Sequence, residues 1–123
     1  MVEIASRQLP AALESLAERI VSALQREAGN FTATGATPRI ELAAVQFTRV
    51  IDPVNQQPAY EGVWRNARNE RCGIIAINSD YSFFAEYDLF CPHPRDSRWF
   101  VEMLTAWGRE EMLRCEAKLI PTL

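Results

Sequence analysis

Between Arg39 and Phe90 the chain alternates apolar and polar side chains in four successive runs divided by turn-forming residues, a pattern that commits this stretch to extended strands. The first run, about Arg39 to Ile51, presents Ile40, Leu42, Ala44, Gln46, Thr48 and Val50 on one face. Glu41, Ala43, Val45, Phe47, Arg49 and Ile51 lie on the other, so neither face is cleanly polar. Asp52 to Pro58, with two prolines, breaks the run. A second strand then begins near Ala59, with Tyr60, Gly62 and Trp64 opposite Glu61, Val63 and Arg65. After the polar turn Asn66 to Glu70, the third run, Arg71 to Asn78, is apolar on both faces through Ile74 to Ile77 and predicts a central strand. Asn78-Ser79-Asp80 leads into a fourth, in which Tyr81, Phe83, Ala85, Tyr87 and Leu89 alternate with Ser82, Phe84, Glu86, Asp88 and Phe90. Connections this short force antiparallel pairing, because a parallel pair needs a long crossover.

A helix precedes this stretch. Leu9, Leu13, Leu16, Ile20 and Leu24 recur at helical spacing, with Pro10 tolerable only in the first turn and Gly29-Asn30 offering a left-handed stop. Asn30 to Pro38 has no period and reads as a loop. Cys91-Pro92-His93-Pro94 stops the fourth strand, and Asp96 or Ser97 can cap a second helix reaching about Lys118. Wound as a helix, that segment gathers Trp99, Phe100, Met103, Ala106, Trp107, Leu113 and Ala117 on one broad face, together with Glu110 and Arg114. Gly108 inside it costs about 1 kcal/mol relative to alanine, which predicts close approach of another backbone, the first helix being the natural partner. The expected architecture is one two-layer α+β domain over residues 1–123: a four-stranded antiparallel meander flanked by an N-terminal and a C-terminal helix.

Composition excludes several classes. At 123 residues, 48% hydrophobic and 24% charged, the chain fits a single globular core. A net charge of -3 argues against nucleic acid as a partner. The first twenty residues carry Glu3, Arg7, Glu14, Glu18 and Arg19, so neither a signal peptide nor a membrane span is expected. Cys72, Cys91 and Cys115 are too few and too scattered for a disulfide framework, which points to a reducing, cytoplasmic setting. The Asn30-Phe31-Thr32 sequon then has no consequence.

Chemistry-bearing patterns are few. Cys91 and His93 place a thiol and the single imidazole two residues apart beside an expected helix start, where a thiolate or a metal ligand pair is conceivable. A structural zinc site needs four ligands in close pairs and these two have no such company, so a proline-bracketed connector with Cys91 as a small apolar residue is the favoured reading. Glu110 and Arg114, four apart on the expected helix, form either a polar pair on a cavity wall or, the favoured reading, an ordinary ion pair at the helix's outer end. Tyr60, Trp64, Tyr81, Phe83 and Tyr87 can share one sheet face; acidic Glu86 and Asp88 between them speak against base stacking and for a core role. No catalytic residue and no cofactor is assigned, and the chain reads as a binding module rather than an enzyme.

Two helices can cover one sheet face, yet both faces carry apolar residues. Val45, Phe47, Val63, Phe84 and Phe90 are therefore expected on an open, partly apolar face that binds a protein partner or a second copy of the chain. The alternative is a small apolar ligand, or an enzyme's substrate, in a pocket between helices and sheet walled by Tyr60, Trp64, Trp107, Glu110 and Arg114. The order helix, antiparallel meander, closing helix resembles bacterial type III secretion chaperones, and that resemblance implies a homodimeric, chaperone- or adaptor-like function. It departs at Asn78-Ser79-Asp80, where those chaperones insert the helix that builds their dimer, so their dimer mode and functional residues do not transfer.

Overall fold

The computed structural model describes residues 2–123 and contains one long helix and one sheet of seven strands. The strands are β1 (Val2–Ala5), β2 (Gln46–Ile51), β3 (Pro58–Arg65), β4 (Arg71–Asn78), β5 (Ser82–Pro92), β6 (Trp99–Arg109) and β7 (Met112–Pro121); the helix is α1 (Ala11–Asn30). Spatial order follows chain order from β1 to β7, and every pairing is antiparallel. The strand expected from Ala59, the strand at Arg71 to Asn78 with its place at the middle of the sheet, and the strand following Asn78-Ser79-Asp80 are all present.

Three expectations are overturned. First, the four-stranded meander between two helices is a seven-stranded sheet with one helix, because residues 97–118 form the β6–β7 hairpin. Two local devices hide it. Around Glu102 the register shifts, so the inward set changes phase between Val101 and Leu104 and imitates a helical step. The hairpin turn then uses Glu110 at φ 55 instead of glycine or asparagine. Beyond the turn Leu113, Cys115 and Ala117 alternate with Arg114, Glu116 and Lys118 at period two, and Trp99, Phe100, Val101, Thr105 and Trp107 are strand formers. Second, the expected first strand is extended sheet only from Gln46; residues 39–45 make a strap with a 3-10 turn at Leu42–Ala44. Third, Val2–Ala5 forms an edge strand where none was expected, and α1 runs through Gly29 and Asn30 without a left-handed residue.

The register places three rows of side chains under α1. One row crosses the sheet as Ile4, Phe47, Gly62, Ile75, Ala85, Ala106 and Cys115; beside it run Tyr60, Ile77, Phe83, Gly108 and Leu113, and Trp64, Gly73, Tyr87, Leu104 and Ala117. Leu13, Leu16, Ile20 and Leu24 of α1 are buried against this side, each worth roughly 1.5–3 kcal/mol. Pro10 is the N-cap, and its carbonyl accepts from the Leu13 and Glu14 amides, so the missing proline N–H costs nothing.

One helix is too narrow for seven strands, and the strap completes the cover with buried Ile40 and Val45 and half-buried Leu42. Gln25 clasps it to the helix: its Nε2 donates to the Pro38 carbonyl at 2.9 Å and its Oε1 accepts from the Ile40 amide at 2.7 Å. Trp64 Nε1 donates to the Glu41 carbonyl at 2.9 Å from the sheet side. Gly62 lets the strap lie this low, since an added methyl would collide with Val45, Ile75 and Phe47. Gly108 serves a close backbone approach, as its cost implied, but the neighbour is the Met112 carbonyl across the hairpin and not the first helix.

This construction makes the two glycines and Gln25 testable. Gly108→Ala is expected to lose about 3 kcal/mol or more of unfolding free energy in urea titration, because neither backbone can yield. Gly29→Ala, in the helix with nothing within 4 Å of the new methyl, gains about 0.4–1 kcal/mol. Gln25→Ala leaves the Pro38 carbonyl and the Ile40 amide without their partner and costs about 1–3 kcal/mol, with faster hydrogen exchange at Ile40 as the specific signature.

Candidate functional site: the uncovered sheet face

Alternation that sends one set of side chains under α1 sends the other set to a face that no element among the described residues covers. Its central row runs Thr48, Glu61, Ala76, Phe84, Trp107, Arg114 from β2 to β7. The adjacent row runs Gln46, Val63, Ile74, Glu86, Thr105, Glu116, and Asp88, Met103 and Lys118 begin a third. Val63, Ile74, Ala76, Met103 and Trp107 are half-buried by one another, and Phe84 keeps 39% of its surface exposed. The result is an apolar strip with acid at its β3 end, Glu61, and base at its β7 end, Arg114.

The residues expected together on an open face divide between the two sides. Val63 and Phe84 lie on the uncovered face, whereas Val45, at 4% exposure, and Phe47, at 0%, are core beneath the strap and helix. The misplacement comes from reading residues 39–51 as one strand. Phe90 is 59% exposed, yet it sits in the β5 irregularity between Asp88 and Cys91 with φ 45 and belongs to neither row. Ile74, Ala76 and Met103 are additional members of the face. The signal for Ile74 and Ala76 was the doubly apolar run Ile74–Ile77, which marks a central strand without saying that one of its faces stays open, whereas Met103 was read as part of a helix.

The expected ligand pocket does not assemble. Tyr60 and Trp64 are core residues under α1 and the strap, while Trp107 and Arg114 are on the opposite face of the sheet. Glu110 forms the β6–β7 turn, its amide donating to the Tyr81 carbonyl and its carbonyl accepting from Arg19. No ion pair joins it to Arg114 among the described residues, and the helical spacing on which that pair rested does not exist. Phe83, Tyr60 and Trp64 do take the core role expected of the aromatic set, and Tyr87 packs edge-on against Trp64 with ring centroids 5.6 Å apart.

Cys91 and His93 likewise lose their chemical rationale, because residues 99–109 are a strand and no helix N-terminus faces the thiol. Burial pushes the Cys91 thiol up, and its Sγ donates to the Phe31 carbonyl at 3.5 Å. His93 Nδ1 accepts from the Arg95 and Asp96 amides, both at 3.1 Å, and builds the turn into β6. Among the described residues no group of three or more His, Cys, Asp or Glu side chains is placed to hold a metal ion. No described helix is long and apolar enough to cross a membrane.

No family model, curated protein or solved structure matches the chain.

Electrostatics on the covered side yields a further prediction. Burial, reinforced by the neighbouring Cys72, pushes the Tyr87 hydroxyl from 10.0 up to about 12, and burial together with Glu27 pushes the Cys115 thiol from 9.0 up to about 11. Both groups fold in their neutral forms, so what they contribute is intact below their unfolded values and is lost as pH rises from about 9 to about 12. Unfolding free energy should therefore fall across that window, and Tyr87→Phe should flatten its upper part in pH-dependent urea titrations.

Proposed function

We propose that this chain is an interaction module that works as a homodimer, stacking the uncovered sheet faces of two copies about a two-fold axis that runs along β5. The observation that carries the reading is the sequence of side chains across the central row: Glu61, Ala76, Phe84, Trp107, Arg114. Rotation about β5 lays β3 over the partner's β7 and β4 over its β6. Glu61 then meets the partner subunit's Arg114, small Ala76 receives the large ring of the partner subunit's Trp107, and Phe84 packs on its own copy. Self-complementarity of this kind is what an isologous interface requires.

Dimensions agree with that arrangement. From β3 to β7 the face spans roughly 19 Å across the strands and roughly 27 Å along them, about 500 Å² in projection before side-chain relief is counted. A standard interface takes about 800 Å² of accessible surface from each partner. Aligned sheets stack about 10 Å apart with a twist near 30°, which keeps the rows within reach of one another. Glu86 works against the stack, since it lies on the axis opposite its own copy and like charges repel there.

A foreign protein seated on the same face would compete with the second copy for Phe84 and Trp107; the chaperone resemblance lends that partner no support, because the closing helix on which it rested is the β6–β7 hairpin. Light scattering after size exclusion at about 50 µM should report twice the 14.0 kDa chain mass. Phe84→Glu should return a folded monomer that has lost only the stability association adds, because Phe84 makes no core contact beneath α1. Arg114→Glu should weaken association and Glu61→Arg in the same chain should restore it, while Glu86→Gln should strengthen it. A strict monomer at that concentration contradicts dimerisation, and failure of the charge exchange contradicts the β5 axis.

A further inference from the structure

On the covered side, where the Thr32–Pro38 stretch passes over the far ends of β4 and β5, a cavity of about 530 Å³ opens. Its size falls within the range of small-molecule sites, and it lies away from the Phe84 face. Ala33, Ala36, Pro38, Leu89, Pro92 and Pro94 supply an apolar wall. The roof is held in place independently of any ligand: Thr32 Oγ1 hydrogen-bonds the Ala28 carbonyl and Thr37, both at 2.6 Å, and Gln25 holds Pro38.

Hydrogen-bonding capacity around this cavity is unevenly spent. The Cys91 thiol is given to the Phe31 carbonyl, and the half-buried Tyr87 hydroxyl lies beside Cys72. Because His93 Nδ1 accepts two backbone amides, the neutral imidazole carries its proton on Nε2, a donor with no acceptor among the described residues. Asn66 is in the same state: its Oδ1 accepts from the Arg68 and Glu70 amides, and its amide nitrogen makes no bond among the described residues. No lysine or arginine lines the wall. The one acid there, Asp88, pairs across the strands with Met103 of the uncovered face, and burial pushes its carboxyl up, with Arg71 opposing and Glu102 reinforcing that rise.

We infer that this cavity is a binding site for an uncharged, largely aromatic or alicyclic molecule carrying a carbonyl-type acceptor, which the donors His93 Nε2 and Asn66 Nδ2 would receive. An anion would give up its hydration with no counter-charge in return, and a hydrocarbon would leave two donors unpaired.

Benzophenone, diphenylmethane and 4-benzoylbenzoate test the three chemistries on one shape, followed by amide chemical shifts of the full chain. Benzophenone is expected to move the amides of Cys72, Tyr87, Leu89 and Cys91 with a dissociation constant at or below a few hundred micromolar, at least five-fold tighter than either of the others. Leu89→Trp, which fills the cavity, should abolish those shifts. Asn66→Asp, which keeps the oxygen that builds the turn and removes the donor, should weaken benzophenone at least three-fold and leave diphenylmethane unchanged. Absence of shifts at these residues, equal binding of diphenylmethane, tighter binding of the anion, or indifference to Asn66→Asp would each overturn the inference.

Discussion

Burial of the Phe47, Ile75 and Leu104 side of the sheet is the constraint on which the remaining structure depends. Seven antiparallel strands present more apolar surface on that side than α1 can reach, so the chain lays residues 39–45 beside the helix as a second cover. Gln25 and Trp64 satisfy the strap's backbone groups from opposite sides, which makes an irregular segment as firmly placed as an element of secondary structure. Gly62 and Gly108 are the positions where this economy of space is tightest.

The same constraint produces the sidedness that bears on function. All covering material of the chain is spent on one face, and the alternation that fills the core exports Val63, Ile74, Ala76, Phe84, Met103 and Trp107 to the other. Exposed apolar rows framed by Glu61 and Arg114 are costly for a lone domain and economical for an interface. The cavity beneath the Thr32–Pro38 stretch belongs to the covered side, so occupation of one site leaves the other free.

Much of the sheet was legible in the sequence because β3, β4 and the start of β5 obey period two and are separated by Asn, Asp and Pro turns whose side chains cap their own backbones, as Asp52, Asn66 and Asp80 do. The β6–β7 hairpin was hidden for a physical reason: the Glu102 irregularity breaks the alternation in β6 and a glutamate holds the left-handed turn position, so period two survives only beyond the turn, from Leu113 to Lys118. Residues 39–45 look like strand because Ile40 and Leu42 turn inward two apart, and only the 3-10 turn at Leu42–Ala44 shifts the next buried position to Val45. At the candidate face, Val63 and Phe84 were readable from alternation alone. The placement of Val45 and Phe47 required knowing where the strap ends, and the cavity, made by segments far apart in sequence, had no local pattern to betray it.

Stacking about β5 is open to isotope-filtered nuclear Overhauser measurements on a mixture of labelled and unlabelled chains. Intermolecular contacts are expected between the Ala76 methyl and the partner's Trp107 ring, and between Ile74 and the partner's Thr105. Intermolecular contacts confined to the free edge of β7 or to α1, or none at concentrations where the chain is dimeric, would contradict it.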